Sequence, residues 1–200
     1  MIPSGTMPLS LVPVGAALPA WNVSGTSGNY PVVVADVLYD GYGSSSNWLV
    51  SINDSNTGHG YAPIQGQYTV AFKTTVGSTA TIGQTGLIPP GTESLRMDVR
   101  TSGSPFSVLL VSGLTYHPIS MMPLENFPDY TAYGGDVSAL AGKVVTLSIT
   151  ESSPLGAGAG LLELDNINFS VQPVPEPGIS ALFLWGAAAF GYKCRRTRVS

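Results

Sequence analysis

Two histidines, His59 and His117, one cysteine, Cys194, and twelve carboxylates are the groups in this 200-residue sequence suited to proton transfer, metal ligation or nucleophilic attack. The histidines are far apart and lack a spacing such as His-x-x-x-His. With no cysteine before position 194, a zinc site would have to be filled by carboxylates. His59 lies in Asn53-Asp54-Ser55-Asn56-Thr57-Gly58-His59-Gly60, a polar run whose composition turn formation explains. No Gly-x-Ser-x-Gly elbow displays a serine nucleophile. A glycosidase needs two carboxylates facing each other across a cleft, and nothing in their spacing here singles out such a pair. The residues read as those of a protein that binds without catalysing.

Binding chemistry is better represented. Trp21, Tyr30, Tyr39, Tyr42, Trp48, Tyr61, Tyr116, Tyr130 and Tyr133 can stack on the apolar faces of sugar rings while their polar edges stay wet. Tyr130 and Tyr133 precede a helical turn and read as core residues packed beneath it. The Gly-rich loop Asp40-Gly41-Tyr42-Gly43-Ser44-Ser45-Ser46-Asn47-Trp48 is the most site-like segment, so Tyr42 and Trp48 are the candidate glycan contacts.

These groups need a scaffold. Only 10% of residues are charged, whereas Gly (24 residues), Ser and Thr are plentiful, which suits turn-rich β structure better than helices. Residues 1–175 hold four cations and eleven carboxylates, a formal charge of −7. An acidic body lacks the basic face that nucleic acid requires, so nucleic-acid binding is excluded as a function class.

Period-2 alternation recurs along the chain. Leu95, Met97 and Val99 alternate with Arg96, Asp98 and Arg100; Tyr68, Val70 and Phe72 with Thr69, Ala71 and Lys73; Val145, Leu147 and Ile149 with Thr146, Ser148 and Thr150. Each predicts a strand with one wet face. Further strands are expected at 32–39, 48–53, 79–85, 106–111, 130–133 and 161–171. The last carries a phase slip, because Leu162 and Leu164 have the opposite parity to Ile167, Phe169 and Val171. One extra residue near Asp165-Asn166, a β-bulge, restores the inward face. The run 136–142 predicts a single helical turn capped by Asp136 and stopped by Gly142. Eight or nine such strands need a second sheet to cover their apolar faces, which predicts an all-β, two-sheet antiparallel jelly-roll sandwich. Residues 1–30 read as an irregular N-terminal segment, 31–171 as the sandwich, 172–178 as a Pro-rich linker, and 179–200 as one C-terminal hydrophobic helix with a basic tail. Residues 1–20 have no basic n-region and are broken by Pro3, Pro8, Pro13 and Pro19. The expectation is that this start is internal to a longer gene product bearing a signal peptide.

The C-terminal run from Ile179 to Tyr192 is uncharged and is followed at once by Lys193, Arg195, Arg196 and Arg198. As a helix, its fourteen residues would rise about 21 Å, short of the roughly 30 Å hydrocarbon core. The flanking cations match the positive-inside rule. Just before it stands Val174-Pro175-Glu176-Pro177-Gly178. This order, a Pro-Glu-Pro motif, a short apolar segment and a terminal Arg-rich cluster, resembles the PEP-CTERM sorting signal recognised by exosortase. The resemblance implies export, transient inner-membrane anchoring, cleavage near Pro175 to Pro177, and delivery to the cell surface or extracellular matrix. It makes exosortase and the export machinery partners.

Gly135-Asp136-Val137-Ser138-Ala139-Leu140-Ala141-Gly142, then Val144–Thr150, then Leu161–Ser170, is similar to the end of galactose-binding-like, carbohydrate-module jelly rolls. That resemblance implies polysaccharide as a partner, and Asp165 as a candidate calcium ligand on the last strand; no other cofactor is expected. The function expected is an exported, non-enzymatic structural or glycan-binding sandwich. The alternatives are a fragment of a secreted carbohydrate-active enzyme and a permanent single-pass membrane protein.

Overall fold

A computed structural model describes residues 10–26, 28–29, 32–35, 50–54, 62–153, 155 and 160–175. Over this span the chain is β structure apart from one helical turn, α1 (Val14–Ala17), and one 3₁₀ turn at Ser138–Leu140. The strands are β1 (Ser10–Pro13), β2 (Asn22–Gly25), β3 (Gly28–Asn29), β4 (Val32–Ala35), β5 (Val50–Asp54), β6 (Tyr68–Thr74), β7 (Thr79–Leu87), β8 (Ser94–Thr101), β9 (Phe106–Ser112), β10 (Thr115–Ile119), β11 (Met122–Asn126), β12 (Thr131–Asp136), β13 (Val144–Ser152) and β14 (Gly160–Ser170). They form an eight-stranded sheet, β1-β4-β5-β6-β14-β8-β12-β11, and a six-stranded sheet, β10-β9-β13-β7-β2-β3. Every pairing is antiparallel except β4 with β5. The central strands run β6-β14-β8-β12 on one side and β7-β13-β9 on the other, with β10 at the edge beside β9. From β6 to β9 the chain therefore alternates between the sheets, and it alternates again from β12 to β14, which is the jelly-roll winding.

The two inner faces make one core. Leu95, Met97 and Val99 of β8 and Val145, Leu147 and Ile149 of β13, the two clearest alternating runs in the sequence, are all buried. Phe72, Ile82, Leu110, Leu162 and Leu164 fill the space between the sheets. On the outer face of the six-stranded sheet the wet registers are hydroxyl-bearing: Thr81 meets Thr150, and Thr85 meets Thr146, each at 2.8 Å across the β7–β13 ladder.

Two strands that the sequence pattern does not mark, β10 and β11, are short edge strands. Pro118 in β10 and Pro123 in β11 would each remove a ladder donor from a central strand, but both strands lie at sheet edges, where proline is tolerated. Within residues 1–30, expected to be irregular, β2 pairs with β7, so this segment joins the sandwich. Among the described residues no helix is long and apolar enough to cross a membrane. The apolar run from Ile179 lies outside them.

Two expectations need correcting. Strand β6 was to have one wet face, yet Thr69 and Ala71 are buried alongside Phe72, while Tyr68 is exposed. The reason is cover on the outer side: the segment around Ala62 and Gln65 folds over this part of the sheet and bonds to β8 and β14. Val171 was to share the inward parity of Ile167 and Phe169; β14 ends at Ser170, and Val171 is 73% exposed. The bulge itself is where the phase slip places it. The register of β14 on β8 shifts between Asp165 and Asn168, and Asn166 takes a positive φ of 50°. The helical turn is present too. Asp136 Oδ1 accepts from Ser138 N at 2.9 Å, and Gly142, at φ 75°, ends it.

Candidate functional site

The outer face of the eight-stranded sheet gathers the charged side chains of the sandwich. It is built from registers that alternate with the core: Arg96, Asp98 and Arg100 on β8, Glu163 and Asp165 on β14, Thr69 on β6. The ladder sets Arg100 opposite Glu163 and Asp98 opposite Asp165. Arg100 Nη1 pairs with Glu163 Oε2 at 2.9 Å and also donates to Ala62 O at 2.8 Å, while its Nε donates to Asp129 O at 3.0 Å. The Glu163 side chain is fully buried, so this ion pair is a desolvated one.

Gln65 links the two halves of the face. Its Nε2 donates to Asp98 Oδ2 at 2.8 Å and to Tyr130 Oη at 3.3 Å, and its backbone N–H donates to Asp165 Oδ2 at 3.0 Å. Burial pushes the Asp98 carboxyl above the ordinary aspartate range and the neighbouring Asp165 charge adds to the rise, against a hydrogen bond from Asn166 that lowers it.

Beside this network lies an open pocket of about 220 Å³, lined by Arg100, Phe127, Asp129, Tyr130 and Tyr133 among others. It sits over the turn between β11 and β12. Phe127 and Tyr130 stack there with ring centroids 4.5 Å apart and planes 18° from parallel, and Phe127 is 38% exposed. Phe127 N–H donates to Tyr130 O at 2.9 Å, closing the turn that sets the two rings side by side. Tyr133, further along β12, packs edge-on against Phe106 at 5.4 Å and belongs to the core side.

The sequence-predicted site residues distribute unevenly over this geometry. Tyr42 and Trp48 lie outside the described residues, as do His59, Glu176, Pro177, Gly178, Lys193, Arg195, Arg196 and Arg198. Of the sorting motif, Val174 and Pro175 are described, in a stretch without regular structure. Arg96 Nη2 approaches Gln172 O and Pro173 O at 3.4 Å, and Gly134 leaves room that a Cβ would deny to Leu124 and Val174. His117 is half-buried on edge strand β10.

Asp165 sits at the bulge, where protein donors meet both of its carboxylate oxygens. Oδ2 accepts from Gln65 N and from Thr69 Oγ1 at 3.1 Å, and Oδ1 from Asn166 N at 2.7 Å, so protein donors occupy both oxygens. Among the described residues no three His, Cys, Asp or Glu side chains gather as metal ligands would.

Residue-type reasoning passed over Gln65, Asp98, Arg100 and Phe127, and assigned Tyr130 to the core. The signal for β8 was present: two of the four cations of residues 1–175 fall at Arg96 and Arg100, with Asp98 between them, all on the wet parity of one strand. Asn126-Phe127-Pro128-Asp129-Tyr130 likewise carries a Pro-Asp turn pair between two aromatics. Nothing local marks Gln65, which reaches the face by a long-range contact.

No family model and no curated protein matches the chain. Solved structures do resemble it. One is TmCBM61 in complex with β-1,4-galactotriose, at 12% identity over 75% of this chain and 87% of that one, with a TM-score of 0.49. A family 29 carbohydrate-binding module complexed with mannohexaose matches at 12% identity over 55% and 74%, with a TM-score of 0.39. The enzymatically active domain of bacteriophage CBA120 tailspike protein 4 matches at 12% identity, covering 76% of this chain but 19% of that one, with a TM-score of 0.41. At such identities and scores none of the three says what this chain binds.

Proposed function

We propose that the chain is a non-enzymatic glycan-binding sandwich, exported and sorted by its C-terminal signal. The observation that carries the binding reading is the Phe127–Tyr130 stack in the lining of a pocket that Arg100 and Asp129 also line. A sugar ring needs both elements: an apolar plate for its C–H face, and fixed donors and acceptors for its hydroxyls. The polar groups are already held in place by one another, as Gln65 ties Tyr130 to Asp98 and Glu163 ties Arg100. Catalysis is the weaker reading because two carboxylates of this face are committed, Glu163 to Arg100 and Asp165 to the bulge. The loop bearing Tyr42 and Trp48 is a second candidate contact.

A glycan array followed by calorimetry tests this. One stacked ring is worth about 1–3 kcal/mol, roughly five- to hundredfold in Kd, and a single-site complex is expected in the millimolar to high-micromolar range. Phe127→Ala and Tyr130→Ala, confirmed folded, should each weaken binding by that factor. Unchanged affinity in both variants would remove this pocket from the site. A loss confined to Tyr42→Ala or Trp48→Ala would move the contact to the Gly-rich loop.

The sorting reading rests on Val174-Pro175-Glu176-Pro177-Gly178, the apolar run after it and Lys193, Arg195, Arg196 and Arg198. Exosortase, the export machinery and a transient inner-membrane stay follow from that resemblance alone.

A further inference from the structure

At the opposite end of β8 from Ser94, three connections converge on the end of β13. Gly77 N donates to Ser153 O at 2.6 Å and Ser153 N to Ser78 O at 3.0 Å, tying down the β6–β7 turn. Ser152 N donates to Pro105 O at 3.2 Å, tying down the β8–β9 turn. Leu161 N donates to Ser104 Oγ at 3.2 Å, joining the same turn to the start of β14.

In the middle of this junction Glu151 points inward from the six-stranded sheet, on the same parity as Leu147 and Ile149. It is fully buried, and neither carboxyl oxygen has a hydrogen-bond partner. Thr74 Oγ1, projecting from β6 on the other sheet, is buried and unpartnered as well. Gly160 separates them; a Cβ there would collide with Glu151 Oε1, Ser104 Oγ and Thr74 Oγ1 at once. Oxygen atoms from both sheets and one turn are thus packed around a glycine.

Among the described residues, no positive charge sits on a register that faces Glu151. Strands β7 and β9, its ladder neighbours, contain no charged residue, and neither does the segment 154–159 that follows it. The charged residues of the remaining elements packed here, Lys73 on β6, Arg100 on β8 and Glu163 on β14, occupy the outer-face registers of the other sheet.

We propose that Glu151 is a proton-operated clasp: neutral, it lets both sheets and the two turns close on one another, and ionised, it releases that end of the sandwich. Burial pushes its carboxyl up to about 7; the Ser104 and Thr74 hydroxyls lie close enough to oppose the rise, though neither meets it in hydrogen-bonding geometry. The sign follows from linkage. The closed state holds a proton that the opened state gives up from about pH 4.5, so opening becomes about tenfold more favourable per pH unit from there to about 7 and then levels off. The clasp would therefore be tightest at or below about pH 4.5, loosen through the mildly acidic range, and be weakest above about 7.

The test uses the full 200-residue chain. Carbon-13 NMR of labelled glutamate reads the Glu151 titration directly, and hydrogen exchange at the Gly77, Ser152, Ser153 and Leu161 amides reads opening, corrected for intrinsic base catalysis. The expected result is titration near 7, with opening at those four amides rising about tenfold per pH unit and then reaching a plateau. Both Glu151→Gln and Glu151→Met should abolish that rise. A Glu151 titration between 4 and 5, or a wild-type pH profile in a folded variant, would overturn the clasp. Restoration of protection at pH 8 by added calcium or sodium would also overturn it, by showing that a cation rather than a proton neutralises the site. If neither variant folds, the wild-type titration decides alone.

Discussion

Arg100 does three things at once: it neutralises the buried Glu163 carboxylate, bonds to Ala62 O so that the covering segment stays on β8, and anchors Asp129 O beneath the aromatic turn. A guanidinium is suited to this because its donors form a rigid planar fork, whereas a lysine ammonium on a flexible stem serves one acceptor well. Truncating it takes the Arg100 cation away from a fully buried carboxylate, the costly case for desolvated ion pairs. Arg100→Met should lower stability by about 3–5 kcal/mol in urea denaturation. Adding Glu163→Met should recover a large part of that loss, because the buried carboxylate is then gone. A double variant no more stable than Arg100→Met would show that the cost lies in the backbone contacts and not in the ion pair. The same single substitution should weaken glycan binding, since it frees the floor of the Phe127–Tyr130 turn.

Elements differ in how much of their placement the sequence carries. Strands β8 and β13 announce themselves because one face is core and the other solvent, which writes a period of two into residue type. Strand β6 also alternates in residue type, but neighbouring backbone covers its outer face, so the alternation reports the strand and not a wet side. β10 and β11 are hidden for another reason: edge strands need supply fewer ladder donors, so their prolines read as breaks although pairing continues. The site is legible to the same extent as the strands that build it. Asp98 and Arg100 follow from the parity of β8, while Gln65 and the Phe127–Tyr130 stack depend on long-range folding that spacing does not encode. The bulge in β14 shows how a parity slip fixes geometry. Without the extra residue, Ile167 and Phe169 would face solvent, and Asn166 accepts a left-handed backbone to prevent this. Asparagine tolerates that conformation and β-branched residues do not. Asn166→Gly should therefore change stability by less than about 1 kcal/mol, whereas Asn166→Val should lose about 1–3 kcal/mol. Equal stability of the two variants in chemical denaturation would mean that the bulge relaxes freely.

The whole molecule is polarised twice over, across its thickness and along its chain. Across the thickness, the outer face of the eight-stranded sheet carries Arg96, Asp98, Arg100, Glu163 and Asp165, while the outer registers of β7 and β13 carry Thr81, Thr85, Thr146 and Thr150. Along the chain, residues 1–175 have a formal charge of −7, and four of the eight cations sit at positions 193, 195, 196 and 198. That second asymmetry gives the tail a physical signature. While the tail is attached, the formal charge is −4. On the proposed sorting route the cations would stay on the cytoplasmic side of the apolar run, and cleavage near Pro175 to Pro177 would remove all four together, so the mature protein should be distinctly more acidic than its precursor as well as shorter. Proline disfavours helix for the residue before it, so a Pro-x-Pro sequence suits the extended strip that the proposed processing would need. Intact-mass measurement of protein recovered from the host surface should find a C-terminus at 175–177, and isoelectric focusing should show a shift to lower pI. Surface protein that still ends at Ser200 would reject processing and leave the permanent single-pass reading standing. The same charge distribution bears on the ligand. A body at −7 repels polyanions, so binding to a neutral glycan should be nearly independent of salt between 50 mM and 500 mM, whereas a polyanion held by Arg96 and Arg100 would be lost steeply as counterions screen it.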